Sequence, residues 1–294
     1  MIVAIGNGTG PVADWPHPPS TLPAAGTSLA AQDRHQLGGR LSILSRQKAD
    51  HVALNRMLEQ LAKLPDARRD ALLRRIDRLV FPHAFAEEAV LWPVIRRVLP
   101  DGPALTLRIE QEHQEINELV TRLEDLPPGS VAHRQTLDRI VLLLREDVRD
   151  EEDALLPRLQ MYLSVTQLRL LGLAWEAVRR IAPTRPHPVV SRRPPGNILS
   201  ALPLSVLDRS RDGVDRLIQH GGWPARPLEA ISRALTGMAH GLEEMPGLRR
   251  GEDPSTRIAR RPDRQGRWGL LAVAALSVAG VVAYRRSGLA RLRA

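Results

Sequence analysis

The residues best equipped for chemistry lie in two stretches that say nearly the same thing. His83-Ala-Phe-Ala-Glu87-Glu88-Ala-Val-Leu-Trp-Pro93-Val-Ile95 sets an imidazole and a carboxylate four residues apart, with a second Glu beside the first. Asp147-Val-Arg-Asp-Glu151-Glu152-Asp-Ala-Leu-Leu-Pro157-Arg-Leu159 repeats the double Glu, the Pro and the apolar residues between them. An acid–His pair precedes each, Asp50-His51 and Glu112-His113. Residues four apart share a helix face, so His83 with Glu87, and Asp147 with Glu151, each form one patch. Three imidazoles and three carboxylates suit a first-row metal, iron above all, with zinc admitted by the same donors.

The surrounding apolar residues fall on the same faces. Ile76, Leu79, Val80, Val90, Leu91 and Val94 share the stripe of His83. Ile140, Leu143, Leu144, Ala154 and Leu155 share that of Asp147. His51 aligns with Leu54, Leu58 and Leu61, and His113 with Ile109, Ile116, Val120 and Leu123. Four helices thus turn an ionisable group toward a core, where an unpaired carboxylate costs several kcal/mol unless it pairs or holds a metal. Glu88 and Glu152 sit one residue round the helix, as outer partners or exposed groups, and Asn117, four residues after His113, reads as a further outer partner or a solvated side chain.

Residues ~45–98 and ~107–160 therefore read as two copies of a helical hairpin, which pack as a four-helix bundle. This stretch resembles the hemerythrin-like, or HHE cation-binding, domain. The family pattern has a His on helix one, His-x-x-x-Glu-Glu on helix two, a His on helix three and His-x-x-x-Glu on helix four. His51, His83, Glu87, His113 and Glu151 match it; Asp147 stands where the family has its fourth-helix His. The resemblance implies an all-α, up-down bundle around a non-haem centre of two irons, with Glu87 and Glu151 as bridges. It also implies binding or sensing of oxygen, peroxide or nitric oxide, or handling of iron, rather than a dedicated enzyme. Asp147 adds an anion in place of a nitrogen donor. That favours the ferric state, hence sensing or peroxide handling over oxygen carriage, and leaves one iron or another divalent metal as the alternative content.

Composition narrows the rest. The 294 residues include no cysteine, which excludes disulfides, thiolate metal sites and a cysteine nucleophile. The net charge is +9, with the bundle region acidic on balance and residues 166–294 strongly basic, almost entirely through arginine. Lys48 and Lys63 are the only lysines, and with the Ala and Leu content this looks like the product of a GC-rich genome, in the manner of actinobacteria. A basic tail expects an anionic partner. Few aromatics and no reading motif disfavour nucleic acid, leaving lipid head groups.

Residues 1–40 read as a disordered arm without a signal peptide, and 41–162 as the bundle. Pro82, immediately before His83, predicts a kink in helix two. Residues 163–181 form a fifth helix on the bundle. Residues 182–197, dense in Pro and Arg, read as an extended linker that includes His187. Residues 198–247 read as a helical hairpin whose apolar stripe (Leu202, Val206, Leu207, Val214, Leu217, Ile218) opposes Arg209, Arg211, Asp212, Asp215 and Arg216. Residues 248–267 read as a basic linker.

Residues 268–284 carry no charge. At ~1.5 Å per residue such a helix nearly spans a ~30 Å hydrocarbon core. Trp268 and Tyr284 mark the interfaces, with Arg285 and Arg286 snorkelling in a basic tail, 285–294. Ala275, Ala279 and Ala283 offer a small-residue face for a homodimer. The expectation is a single-pass, C-terminal membrane anchor with a cytoplasmic metal domain. Its rival is a metal-free, membrane-tethered helical adaptor, favoured by Asp147.

Overall fold

The computed structural model describes residues 26–221 and 224–257. Among these, every regular element is helical. The long helices are α1 Ile43–Lys63, α2 Arg69–Ala86, α3 Trp92–Val98, α4 Gly102–Asp125, α5 Val131–Asp150, α6 Leu156–Tyr162, α7 Val165–Ile181, α8 Gly196–His220 and α9 Ala225–Glu243. Their ends follow local chemistry. Ser42 Oγ accepts the Leu44 N–H at 3.3 Å to start α1, and Ser130 Oγ accepts the His133 N–H at 3.1 Å to start α5. Pro65 stands just past α1, and Gly129, at φ 75°, turns the chain ahead of α5.

Between α2 and α3, and again between α5 and α6, the backbone widens into one π-helical turn, at Glu87–Leu91 and Glu151–Leu155. The Trp92 N–H bonds the Glu87 carbonyl and the Leu156 N–H bonds that of Glu151, each five residues back. The next residue is a proline in both cases, Pro93 and Pro157. A proline has no N–H for a four-residue bond, and its ring crowds the carbonyl four back, so the extra residue relieves both problems. Pro82 does not break its helix: α2 continues through it to Ala86, and the departure from α geometry comes at the double Glu instead. The wider turn also moves the buried face by one residue. Ile95 and Leu159 are fully buried, whereas Val94, expected on the stripe, is only partly so.

The chain divides into two compact units. The first comprises residues 1–76 and 122–172. In it α1 packs on α5, and a 3-10 turn, Leu29–Ala31, packs on the π turn Glu151–Leu155. Leu29 is fully buried, and Lys48 Nζ donates to the carbonyls of Ala30 at 2.8 Å and Gln32 at 2.7 Å. Residues 26–40, expected in a disordered arm, are therefore folded onto this unit, because Leu29 and Leu37 supply an apolar anchor.

The second unit comprises residues 77–121 and 173–294. Here α8 and α9 form a hairpin around Val190, Leu204, Leu207, Met238 and Ala239. The expected polarity of α8 is inverted in part. Asp208, Asp212 and Asp215 are buried, while Leu202 and Val206 are about 60% exposed (59% and 63%). The cause is the segment expected to be an extended linker, which is packed instead. Thr184 donates to Asp208 at 2.8 Å through its N–H and to Asp212 at 2.9 Å through its hydroxyl. Arg185 Nη2 reaches Asp212 at 2.9 Å and Asp215 at 2.6 Å. Buried carboxylates survive because donors are delivered to them. The segment is pinned in turn: the N–H groups of Ser191 and Gly196 bond the carbonyls of Leu248 at 3.0 Å and Arg250 at 3.1 Å.

No helix among the described residues is long and apolar enough to cross a membrane, which corrects the expectation of a single-pass membrane protein. The span expected at 268–284, with Trp268, Tyr284, Arg285 and Arg286, lies outside the described residues, as does the alanine face proposed for a homodimer.

Candidate metal centre

Each unit carries its own set of imidazoles and carboxylates. In the second unit, His83 near the end of α2 and Glu87 at the start of the π turn lie on one face, with His83 Nε2 3.0 Å from Glu87 Oε1. His113, on α4, points Nε2 at the other oxygen of Glu87, at 3.9 Å. The opposite ring nitrogen of His113, Nδ1, donates to Glu88 Oε1 at 3.0 Å. Adjacent glutamates thus divide the work, one facing the Nε2 atoms and one holding an imidazole from behind. A carboxylate on Nδ1 fixes the tautomer and leaves the Nε2 lone pair for a cation. Trp175 of α7 meets His83 edge-on at 5.4 Å, and Trp92 stacks on His113 at 6.3 Å between centroids.

The first unit repeats this logic. His51 Nε2 is 3.3 Å from Glu151 Oε2, and His51 Nδ1 donates to Glu152 Oε1 at 2.9 Å. Glu151 is fully buried, whereas Asp147, one turn earlier, is only half-buried.

Whether a metal fits is decided by Glu87. Its side chain is fully buried, and neither carboxylate oxygen makes a hydrogen bond. Its near neighbours are imidazole nitrogens, whose lone pairs would repel it unless a proton or a cation lies between. Neutral nitrogen and anionic oxygen in a buried site suit iron or zinc. The residues present therefore fit a transition metal.

The groups surrounding His113 were only partly legible in the sequence. Asn117, expected as a possible outer partner, donates through Nδ2 to the His113 carbonyl at 2.8 Å and accepts the His187 N–H at 3.1 Å. His187, expected in a linker, is buried, with Nδ1 2.8 Å from Glu243 and Nε2 3.0 Å from Asp208. Burial alone would lower its pKa, but Asp208 and Glu243 outweigh that and push it up to about 10, so the ring is an imidazolium. Asp208 is held below the usual carboxylate range: its burial acts upward, and His187, with donors from Thr184 and Arg185, acts downward more strongly. Arg192 lies 3.7 Å from Glu88. The only sequence signal for His187 and Arg192 is an unusual density of Arg and His between prolines.

Residues 42–159 match the family model for the hemerythrin HHE cation binding domain. An uncharacterized hemerythrin-like protein of Schizosaccharomyces pombe is 23% identical over 143 residues, 48% of this chain and 68% of that protein. No solved structure matches the chain significantly.

Proposed function

We propose that this protein binds iron through His51, His83, Glu87, His113 and Glu151, and that the bound metal senses or handles oxygen, peroxide, nitric oxide or iron itself. The observation that carries this reading is Glu87, buried without a hydrogen bond and faced by the Nε2 atoms of His83 and His113, the latter tied from behind to Glu88. Iron held by these groups would supply a redox-active centre. The protein's own part is to orient His51 and His113 through Glu152 and Glu88, exclude water from the buried carboxylates and pack His83 and His113 against tryptophan. Two irons remain the proposed content, with one iron or another divalent metal the alternative.

Metal analysis of the full chain, purified from iron-replete cells, tests this. Iron bound stoichiometrically, with an optical spectrum that changes on adding peroxide or nitric oxide, is the expected result. Glu87→Ala is expected to remove most of it. A second reading, a metal-free helical adaptor, is favoured by Asp147, which is less buried than Glu151 and stands at a position where the family has a histidine ligand. A folded wild-type chain that takes up no metal would establish it.

A further inference from the structure

The proline- and arginine-rich segment lies outside residues 42–159, yet it reaches the back of the His113 ligand. We infer that Arg192 is a positioning residue for His113, acting through Glu88; this rests on the proposed role of His113 as a metal ligand.

Three observations support it. First, the Arg192 guanidinium is held in place. Nη2 donates to the His187 carbonyl at 2.9 Å, the backbone N–H donates to Glu252, and the side chain is buried. Second, the two oxygens of Glu88 are shared out. Oε1 takes the His113 Nδ1–H at 3.0 Å, while Oε2 faces Arg192 Nη1 at 3.7 Å. Third, the same segment grips α4 side chains around His113. The His187 N–H bonds Asn117 Oδ1 at 3.1 Å, Asn117 bonds the His113 carbonyl at 2.8 Å, and Gln114 Nε2 bonds the Pro188 carbonyl at 3.0 Å.

The consequence is electrostatic. A guanidinium beside a buried carboxylate draws electron density from it and lessens its pull on the imidazole proton. Without Arg192, the negative charge of Glu88 behind His113 loses its counter-charge, and ferric ion gains over ferrous. Outer partners of this kind change metal affinity by about 10–100-fold.

The test uses the full chain as Arg192→Gln, Arg192→Lys and Arg193→Gln. Arg193 is the adjacent control. It carries the same charge, but its guanidinium lies 2.7 Å from Glu110 and 3.3 Å from Asp253. Chelator competition, run separately with ferrous and ferric ion, should show that Arg192→Gln raises the ferric-to-ferrous affinity ratio about tenfold or more. Arg192→Lys should recover most of the wild-type ratio, and Arg193→Gln should leave it within about twofold. A second readout needs no metal. With 15N-labelled histidine in the metal-free chain, Arg192→Gln should shift the Nδ1 resonance of His113, and Arg193→Gln should not. If the wild type takes no iron, the proposed function fails and the resonance alone decides. Equal responses from Arg192→Gln and Arg193→Gln, or none from either, would overturn the inference.

Discussion

The Glu88 carboxylate lies 3.0 Å from Nδ1 of His113, although the two residues stand on different helices. The pair His51 and Glu152 does the same at 2.9 Å in the other unit. The double Glu is therefore a two-part device in which the first residue faces the Nε2 atoms and the second orients an imidazole. Glu88→Gln and Glu152→Gln keep the shape and remove the charge. Each is expected to weaken iron binding by about 10–100-fold, and Glu88→Gln should also lower the unfolding midpoint, because the buried Arg192 loses a charge partner. Isothermal titration with ferrous ion, beside thermal unfolding, checks both halves of that statement.

Pro93 and Pro157 are the reason the two π turns exist. Replacing either by alanine restores an N–H that can bond the carbonyl four residues back, so the wide turn can relax to α geometry. Pro93→Ala should then rotate Glu87 relative to α3 and lower metal affinity at least about tenfold, by analogy with a displaced supporting group. Helical circular dichroism should be retained. Unaltered affinity would show that the turn does not depend on the proline.

His187 makes a prediction about pH. Its folded pKa, about 10, lies above the ordinary histidine value. The group binds its proton more tightly when folded, so its stabilising contribution is complete below about pH 6.5 and is lost as pH rises toward 10. Denaturant unfolding between pH 6 and 10 should show stability falling in that window, and His187→Gln should flatten the decline. The substitution should also cost about 3–5 kcal/mol at neutral pH, because Asp208 and Glu243 remain buried with a charge partner removed.

Gly196 begins α8 where the chain passes under the C-terminal segment. A methyl group there would lie 2.5 Å from the Leu248 carbonyl and 2.7 Å from that of Arg250. Gly196→Ala should destabilise the protein by about 1–3 kcal/mol through overpacking. Chemical denaturation measures this directly. Gly213→Ala, whose methyl group would meet nothing within 4 Å, should be neutral or stabilising.

How much of this could be read from sequence differs between the two units' ingredients. The helices of 43–162 were legible because apolar periodicity, a serine cap and Pro/Gly turns all agree at their ends. The proline effect was read at Pro82, where α2 absorbs it, because periodicity alone does not say which proline a helix can accommodate. The phase change that buries Ile95 in place of Val94 follows from a five-residue bond invisible to a 3.6-residue template. The inverted face of α8 was not legible at all. Aspartates read as solvent-facing until their donors are known, and Thr184 and Arg185 come from a segment whose composition reads as linker.

The second unit joins stretches of chain made at different times. Glu110 is fully buried, and its Oε1 is taken by Arg96 nearby, but its Oε2 accepts from Arg193, 83 residues further on. At ~5–20 residues per second, a ribosome delivers that arginine roughly 4–17 s after the glutamate. Until then α4 must keep a carboxylate in water that it will later bury, so this unit closes only after the proline–arginine segment has been made. The proline–arginine segment thereby sets the order in which the protein is born as well as the surroundings of His113.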